Sequence, residues 1–321
     1  MSVRFFDWRD LPALHRWRQE SVFMDSTLVL TRGPRLLSGA VLSYLAPSTG
    51  VFTAVSDAAD LGHPVIGQVM HSHNSSYAQL TFVTPDGGLE SQALPELLDF
   101  LARVSGERGA LRLLAEVDES TLSYQALRQA GFAVFTRQRI WQLTGQPLGP
   151  FTPAGWRAVS SQDLIAVRSL FSNLVPGLVQ QVEPFPSRRP RGMVLYHDGD
   201  LLAFVELRYG PRGVWVQPFV HPDAPDILEQ FVDLFQHIPY RRTRPLYICV
   251  RSYQSWLESA VEELGAEAGP RQAVMVKHLA VPQKAPLVYA LPALDSGQPE
   301  ITAPIRVEYT QDVYGTTQNN R

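Results

Sequence analysis

Cysteine is almost absent from this chain of 321 residues: Cys249 stands alone, so no disulfide can form within it. It lies in the apolar run "PLYICV" (245–250), where a small buried hydrophobe is the expected role and a nucleophile a distant second. Long apolar runs are lacking as well. None reaches the ~20 residues that cross a bilayer, and the opening "MSVRFFDWRD" has no apolar signal-peptide core. The expected location is therefore cytoplasmic, with no membrane partner. Charge of one sign is also missing, since 28 Lys and Arg against 31 Asp and Glu leave a formal −3. A chain so balanced offers no basic field to a nucleic acid. Two basic clusters, "SRRPR" (187–191) and "RRTR" (241–244), read as solvated loops ahead of phosphate sites. Phosphate-loop, nucleophile-elbow, zinc-protease and dinucleotide signatures do not occur. The "DGG" at 86–88 is not continued by calcium ligands, and no metal site is expected.

What is present is a repeat. "FVTPD" (82–86) returns as "FVHPD" (219–223), Pro85 and Pro222 being 137 residues apart. Each copy is followed by a helical pattern, with Leu94, Leu97, Leu98 and Leu101 in the first and Ile227, Phe231, Leu234 and Phe235 in the second. A short apolar strand comes next, then a second helix ending at Gly131 or Gly265, where glycine suits a left-handed cap. A last strand closes each copy, "FTRQRIWQL" (135–143) and "GPRQAVMVKHL" (269–279). Gly131 and Gly265 are 134 apart, as are Arg137-Gln138 and Arg271-Gln272. Upstream, each copy opens with a strand and a helix (3–21 and 156–174) that Asp10 and Asp163 are placed to cap. Three meander strands follow, with hairpin tips at "DGD" (198–200) and "GPRG" (210–213).

These boundaries give an N-terminal domain at 1–145, a Pro/Gly linker at 146–155 and a C-terminal domain at 156–281. A Pro-rich tail at 282–321 is expected to be flexible, although "IRVEYT" (305–310) could add one strand. The fold class is α/β, a mixed sheet with helices on its faces, built twice.

The order of elements, together with "LTFVTPDGGLESQALPELLDFL", "YQALRQAGF" and "VQPFVHPDAPDILEQFVDLF", resembles the GNAT superfamily of acyl-CoA-dependent N-acyltransferases, in a tandem arrangement. The resemblance spans the chain to about residue 280. It implies an acetyl-CoA co-substrate whose pyrophosphate meets backbone N–H groups of a Q/R-x-x-G-x-G/A loop and the helix that follows. The three motif positions fall on Gly88, Ser91 and Ala93 in the first copy. All are small, though the Arg or Gln is missing. In the second copy they fall on Pro225, Leu228 and Gln230, where proline has no N–H and the others are bulky. The cofactor-binding set is therefore expected at Phe82, Val83, Gly87, Gly88, Ser91, Gln92 and Ala93.

The resemblance also implies a tyrosine acid four residues before the helix-closing glycine, but Leu127 and Val261 stand there. Tyr124, one turn earlier, is either the acid or a half-buried packing residue. His71 and His73, placed on one face by the strand period in "GQVMHSHNS" (67–75), are either a base or exposed hairpin residues. Glu206, flanked by apolar residues in "AFVELR" (203–208), is either a cleft base or the partner of a nearby arginine. Two functions follow. One is acetyl transfer to an unidentified amine, whether a small molecule, a peptide N-terminus or a lysine, with CoA held by the N-terminal domain. The other is a non-catalytic binding protein on the same fold. A monomer is expected if the second unit replaces a dimer partner, with a homodimer as the alternative.

Overall fold

In the computed structural model, residues 3–58, 60–73, 75–149, 155–185 and 191–279 are described. The tail at 282–321, residues 187–190 of the first basic cluster and residues 150–154 of the linker lie outside them. The first copy comprises β1 (Val3–Phe5), α1 (Leu11–Arg16), β2 (Val22–Phe23), α2 (Ser26–Arg32), α3 (Leu36–Leu45), β3 (Val51–Ala58), β4 (His63–Met70) and β5 (Tyr77–Thr84). It continues with α4 (Ala93–Glu107), β6 (Arg112–Asp118), α5 (Leu122–Gln129) and β7 (Ala133–Leu143). The second comprises β8 (Arg157–Ala158), α6 (Leu164–Leu174), α7 (Gly177–Val182), β9 (Gly192–His197), β10 (Asp200–Tyr209) and β11 (Val214–Val220). It ends with α8 (Ile227–His237), β12 (Leu246–Arg251), α9 (Leu257–Glu263) and β13 (Glu267–His278). Among the described residues no helix is long and apolar enough to cross a membrane.

The heptad-like spacing works as sequence predicts. Leu94, Leu97, Leu98 and Leu101 of α4 are all within 2% of full burial, packed on β3 to β6. Phe231, Leu234 and Phe235 of α8 do the same against β10 to β12, whereas Ile227 is only partly covered. Gly131 and Gly265 both take a left-handed conformation, at φ +86° and +82°. Without a Cβ they close α5 and α9 at no steric cost.

One sheet runs through both copies in the order β1-β3-β4-β5-β6-β13-β7-β12-β11-β10-β9-β8. The last strands are exchanged: β7 of the first copy pairs with β12 of the second, and β13 of the second with β6 of the first. β7 and β13 then pair antiparallel with each other, and Gln138 lies opposite Gln272. A residue facing its own equivalent is the mark of a two-fold interface, here made within one chain. The Gln138 amide donates to Gln272 at 2.8 Å across that pseudo-axis.

The copies also share an anchor. Arg4 grips Asp10 with two 2.7 Å bonds, and Arg157 grips Asp163 at 2.8 and 2.6 Å. Each aspartate receives the N–H of the residue three before it, Asp7 or Ser160, and so closes a short 3-10 turn. Neither makes a side-chain cap to the helix beyond it, which corrects the capping role assigned from sequence. Both are nearly buried, so the bidentate guanidinium serves to keep a desolvated carboxylate charged. The "RRTR" cluster is corrected in part, Arg242 and Thr243 being exposed as expected. Arg241 is 7% exposed and donates to the carbonyls of Phe235, Gly145 and Arg244, while Arg244 donates to those of Gly210, Tyr240 and Arg241. These arginines tie loops together by satisfying backbone oxygens rather than sitting in solvent.

Candidate functional site

The loop expected to cradle pyrophosphate is closed on itself. Gly87 N–H donates to its neighbour Asp86 (2.7 Å), Gly88 N–H to Pro85 O (2.9 Å) and Ser91 N–H to Gly88 O (3.3 Å). At the start of α4, Gln92 N–H donates to Asp60 Oδ2 (3.1 Å), Ser91 Oγ to Asp60 Oδ1 (3.0 Å), and Ala93 N–H to Ser91 Oγ (3.1 Å). A carboxylate from the β3–β4 turn thus takes the place an anion would take at a helix N-terminus. Desolvation works to raise the Asp60 pKa, but the bonds from Gln92 and Ser91 outweigh it and hold the group below its ordinary value. The smallness of Gly88 has a packing cause: a Cβ there would stand 2.7 Å from Val65 Cγ1.

The gap behind the loop is filled as well. The parallel pair β5 and β6 is bonded only over Tyr77–Gln79 and Arg112–Leu114 and then parts. Into that opening comes β2, pairing Val22 with Val83 and Phe23 with Phe82. Met24 N–H donates to Thr81 O (2.9 Å), and Glu116 N–H to Met24 O (3.0 Å), so the segment bonds both diverging strands. In the second copy β11 and β12 part after Val216 and Ile248. There the buried Gln254 side chain accepts from Val220 N–H (2.9 Å) and donates to Pro218 O (3.0 Å). Both gaps, each directly beside its loop, are occupied by the chain itself. Residues 82–93 and 217–230 therefore do not fit acetyl-CoA in this structure.

Open space lies elsewhere. A cavity of about 930 Å³ spans the face of the continuous sheet, floored by β4 to β6 and β10 to β12 and walled by α2, α3 and α6. Its first-copy wall sets Asp25, Arg32, Arg35, Gln68 and Glu116 beside apolar residues such as Leu42 and Met70. Its second-copy wall carries Phe171, Phe204 and Phe219 beside Glu206, Arg208, Arg251 and Tyr253. Phe204 and Phe219 stack at 6.0 Å, and Phe171 lies 5.5 Å from Phe219. Such a cavity is in the range that holds a small molecule.

Its charges are unevenly compensated. Glu206 accepts from Arg208 Nε at 3.1 Å, and the carboxylate is what chiefly raises the Arg208 pKa. Glu183 receives Arg251 Nη2 at 3.1 and 3.0 Å. Asp25 and Glu116, by contrast, accept only backbone donors among the described residues, from Leu28 (2.9 Å) and Ser26 (2.9 Å). Burial, and next the Glu116 charge, push the Asp25 carboxyl up to about 7. Cys249 is fully buried, and burial pushes its thiol up to about 12, so it is a thiol at neutral pH and no nucleophile.

Of the four catalytic candidates, only Glu206 lines this cavity, and it is also the partner of a nearby arginine. His71 and His73 are corrected: β4 ends at Met70, so the two-residue period does not reach them. His71 is 7% exposed, its Nε2 lies 2.9 Å from Ser75 O, and His73 is an exposed turn residue. Tyr124 packs half-buried on the first core and borders a separate groove of about 500 Å³ with Arg128 and Tyr253. Sequence reasoning missed Asp25, Glu116 and Arg251. A polar residue inside an apolar strand was a usable signal for Glu116 in "RLLAEVD" and Arg251 in "LYICVR". Asp25 had none, because the stretch from 22 to 50 carried no assignment.

No protein-family model matches this chain, and neither does any curated protein. Solved structures do. A GCN5-related N-acetyltransferase from Sphaerobacter thermophilus superposes with a TM-score of 0.50 at 14% identity, covering 86% of this chain and 95% of its own. A tandem GNAT protein from the clavulanic acid biosynthesis pathway, solved without AcCoA, gives 0.50 at 15% identity, covering 86% and 98%. The chain shares the fold of these N-acetyltransferases, built from the two copies that the sequence repeat implies.

Proposed function

We propose that this chain is a small-molecule-binding protein that uses the tandem GNAT fold as a scaffold, takes an amine-bearing ligand into the central cavity and transfers no acyl group. The observation that carries this reading is the filling of both gaps between diverging strands, by residues 22–24 in one copy and by Gln254 in the other. The closed loop at 86–93 supports it, since Asp60 holds the donors an incoming phosphate would need. An amine is favoured because Asp25 and Glu116 border the cavity without a cationic partner among the described residues. The two-fold contact made inside one chain supports a monomer.

Acyl-CoA-dependent N-acyl transfer is the second reading, and the position of Asp25 favours it. A carboxyl with a pKa of about 7 beside a bound amine is suited to accept its proton. That reading requires β2 to leave its gap and Asp60 to release Gln92. Calorimetry with acetyl-CoA at millimolar concentration, followed by thiol release against a panel of primary amines, separates the two. Absence of acetyl-CoA binding together with binding of an amine supports the scaffold reading. Saturable acetyl-CoA binding with turnover overturns it.

A further inference from the structure

We infer that the ligand of the central cavity is an amino-acid zwitterion with a bulky apolar side chain, its carboxylate received by Arg251 and its ammonium group by Asp25 and Glu116. This rests on the binding reading and gives it a ligand class.

Arg251 ends β12 and is 5% exposed. Its Nη2 meets Glu183, but Nε and Nη1 have no hydrogen-bond partner among the described residues. A buried guanidinium with two unmade bonds is costly, and either free donor can make a charge-assisted bond to a carboxylate oxygen. The same residue borders the cavity, and its enclosed Nε and Nη1 meet a ligand carboxylate only when the side chain turns toward that space. Asp25 and Glu116 present the opposite need, two carboxylates close to each other with backbone donors alone among the described residues.

The two subsites are near enough for one small molecule. Arg251 lies opposite Gln138 on β7, which lies opposite Gln272 on β13, and Ser26 Oγ donates to Gln272 at 3.1 Å. Two strand spacings of about 4.8 Å thus separate Arg251 from the residue touching Ser26. Glu116 also acts on Arg251 through space. Another part of the wall is the cluster of Phe171, Phe204 and Phe219, which suits an apolar side chain.

The test is calorimetry of the full chain with L-phenylalanine, phenethylamine and 3-phenylpropionate, which share a body and differ in charge. L-phenylalanine is expected to bind at least about tenfold tighter than either. Arg251→Met should erase the advantage over phenethylamine, and Asp25→Asn should weaken both amines. Glu183→Gln removes the carboxylate now held by Arg251, so L-phenylalanine should bind tighter to it, a gain that simple damage to the fold does not produce. Phenethylamine binding as well as L-phenylalanine overturns the zwitterion while leaving the cavity reading intact. So does Glu183→Gln leaving L-phenylalanine unchanged or weaker. If none of the three binds and acetyl-CoA does, the binding reading itself falls.

Discussion

Replacing Asp25 by Asn should stabilise this protein at neutral and alkaline pH. The carboxyl is 7% exposed and acted on by the Glu116 charge, with Arg208 opposing more weakly. Burial moves it from 3.8 to about 7. At about 1.4 kcal/mol for each tenfold change in proton affinity, keeping it ionised costs the fold about 2–4 kcal/mol. The folded state holds this proton more tightly than the unfolded chain does. The Asp25 contribution is therefore most favourable below the unfolded value of 3.8, declines as the pH rises, and reaches its full penalty above about 7. Asn keeps the oxygen that accepts Leu28 N–H at the start of α2, and it is as good a cap as Asp. Urea unfolding of both proteins should show little difference near pH 4 and a gain of about 2–4 kcal/mol for the variant near pH 8. A variant less stable than the parent at pH 8, or a difference that does not change with pH, would show that Asp25 is not a buried, poorly compensated carboxylate.

Gln254→Ala should cost about 2–4 kcal/mol, because it leaves Val220 N–H and Pro218 C=O buried without partners. A loss below about 0.5 kcal/mol in denaturant melts would mean that water can replace the side chain and that the gap is not sealed. Gly88→Ala should lose about 1–3 kcal/mol by forcing Val65 aside, measured as a lower urea midpoint. Its failure to destabilise would return the smallness of Gly88 to a ligand-binding role. Acetyl-CoA should leave the melting temperature of the parent protein unchanged, and a rise that scales with ligand concentration would argue for an opening that this structure keeps closed.

Much of the architecture was legible because it is written in local chemistry. The four leucines of α4, the phenylalanines of α8 and the glycines after α5 and α9 each act within a few residues of themselves. Period and turn propensity are enough to read them. The 134-residue recurrence of Gln138 and Gln272 revealed the duplication, but not that these two side chains bond to each other. The histidine pair failed for a related reason, since strand period places residues only as far as the strand runs, and β4 stops one residue short of His71.

The sequence by itself determined a duplicated α/β unit, the order of most of its helices and strands, and a loop after the strand-Pro phrase that is small in one copy only. Tertiary structure decided the rest. It exchanged β7 with β13, set β2 and Gln254 into the gaps between parting strands, and brought Asp25, Glu116 and Arg251 from distant parts of the chain to one cavity. The physical reason is that the local pattern specifies which face of an element is apolar. Which polar groups are left facing one another depends on how those faces are buried together, and that is settled only when backbone donors far apart in sequence find their acceptors.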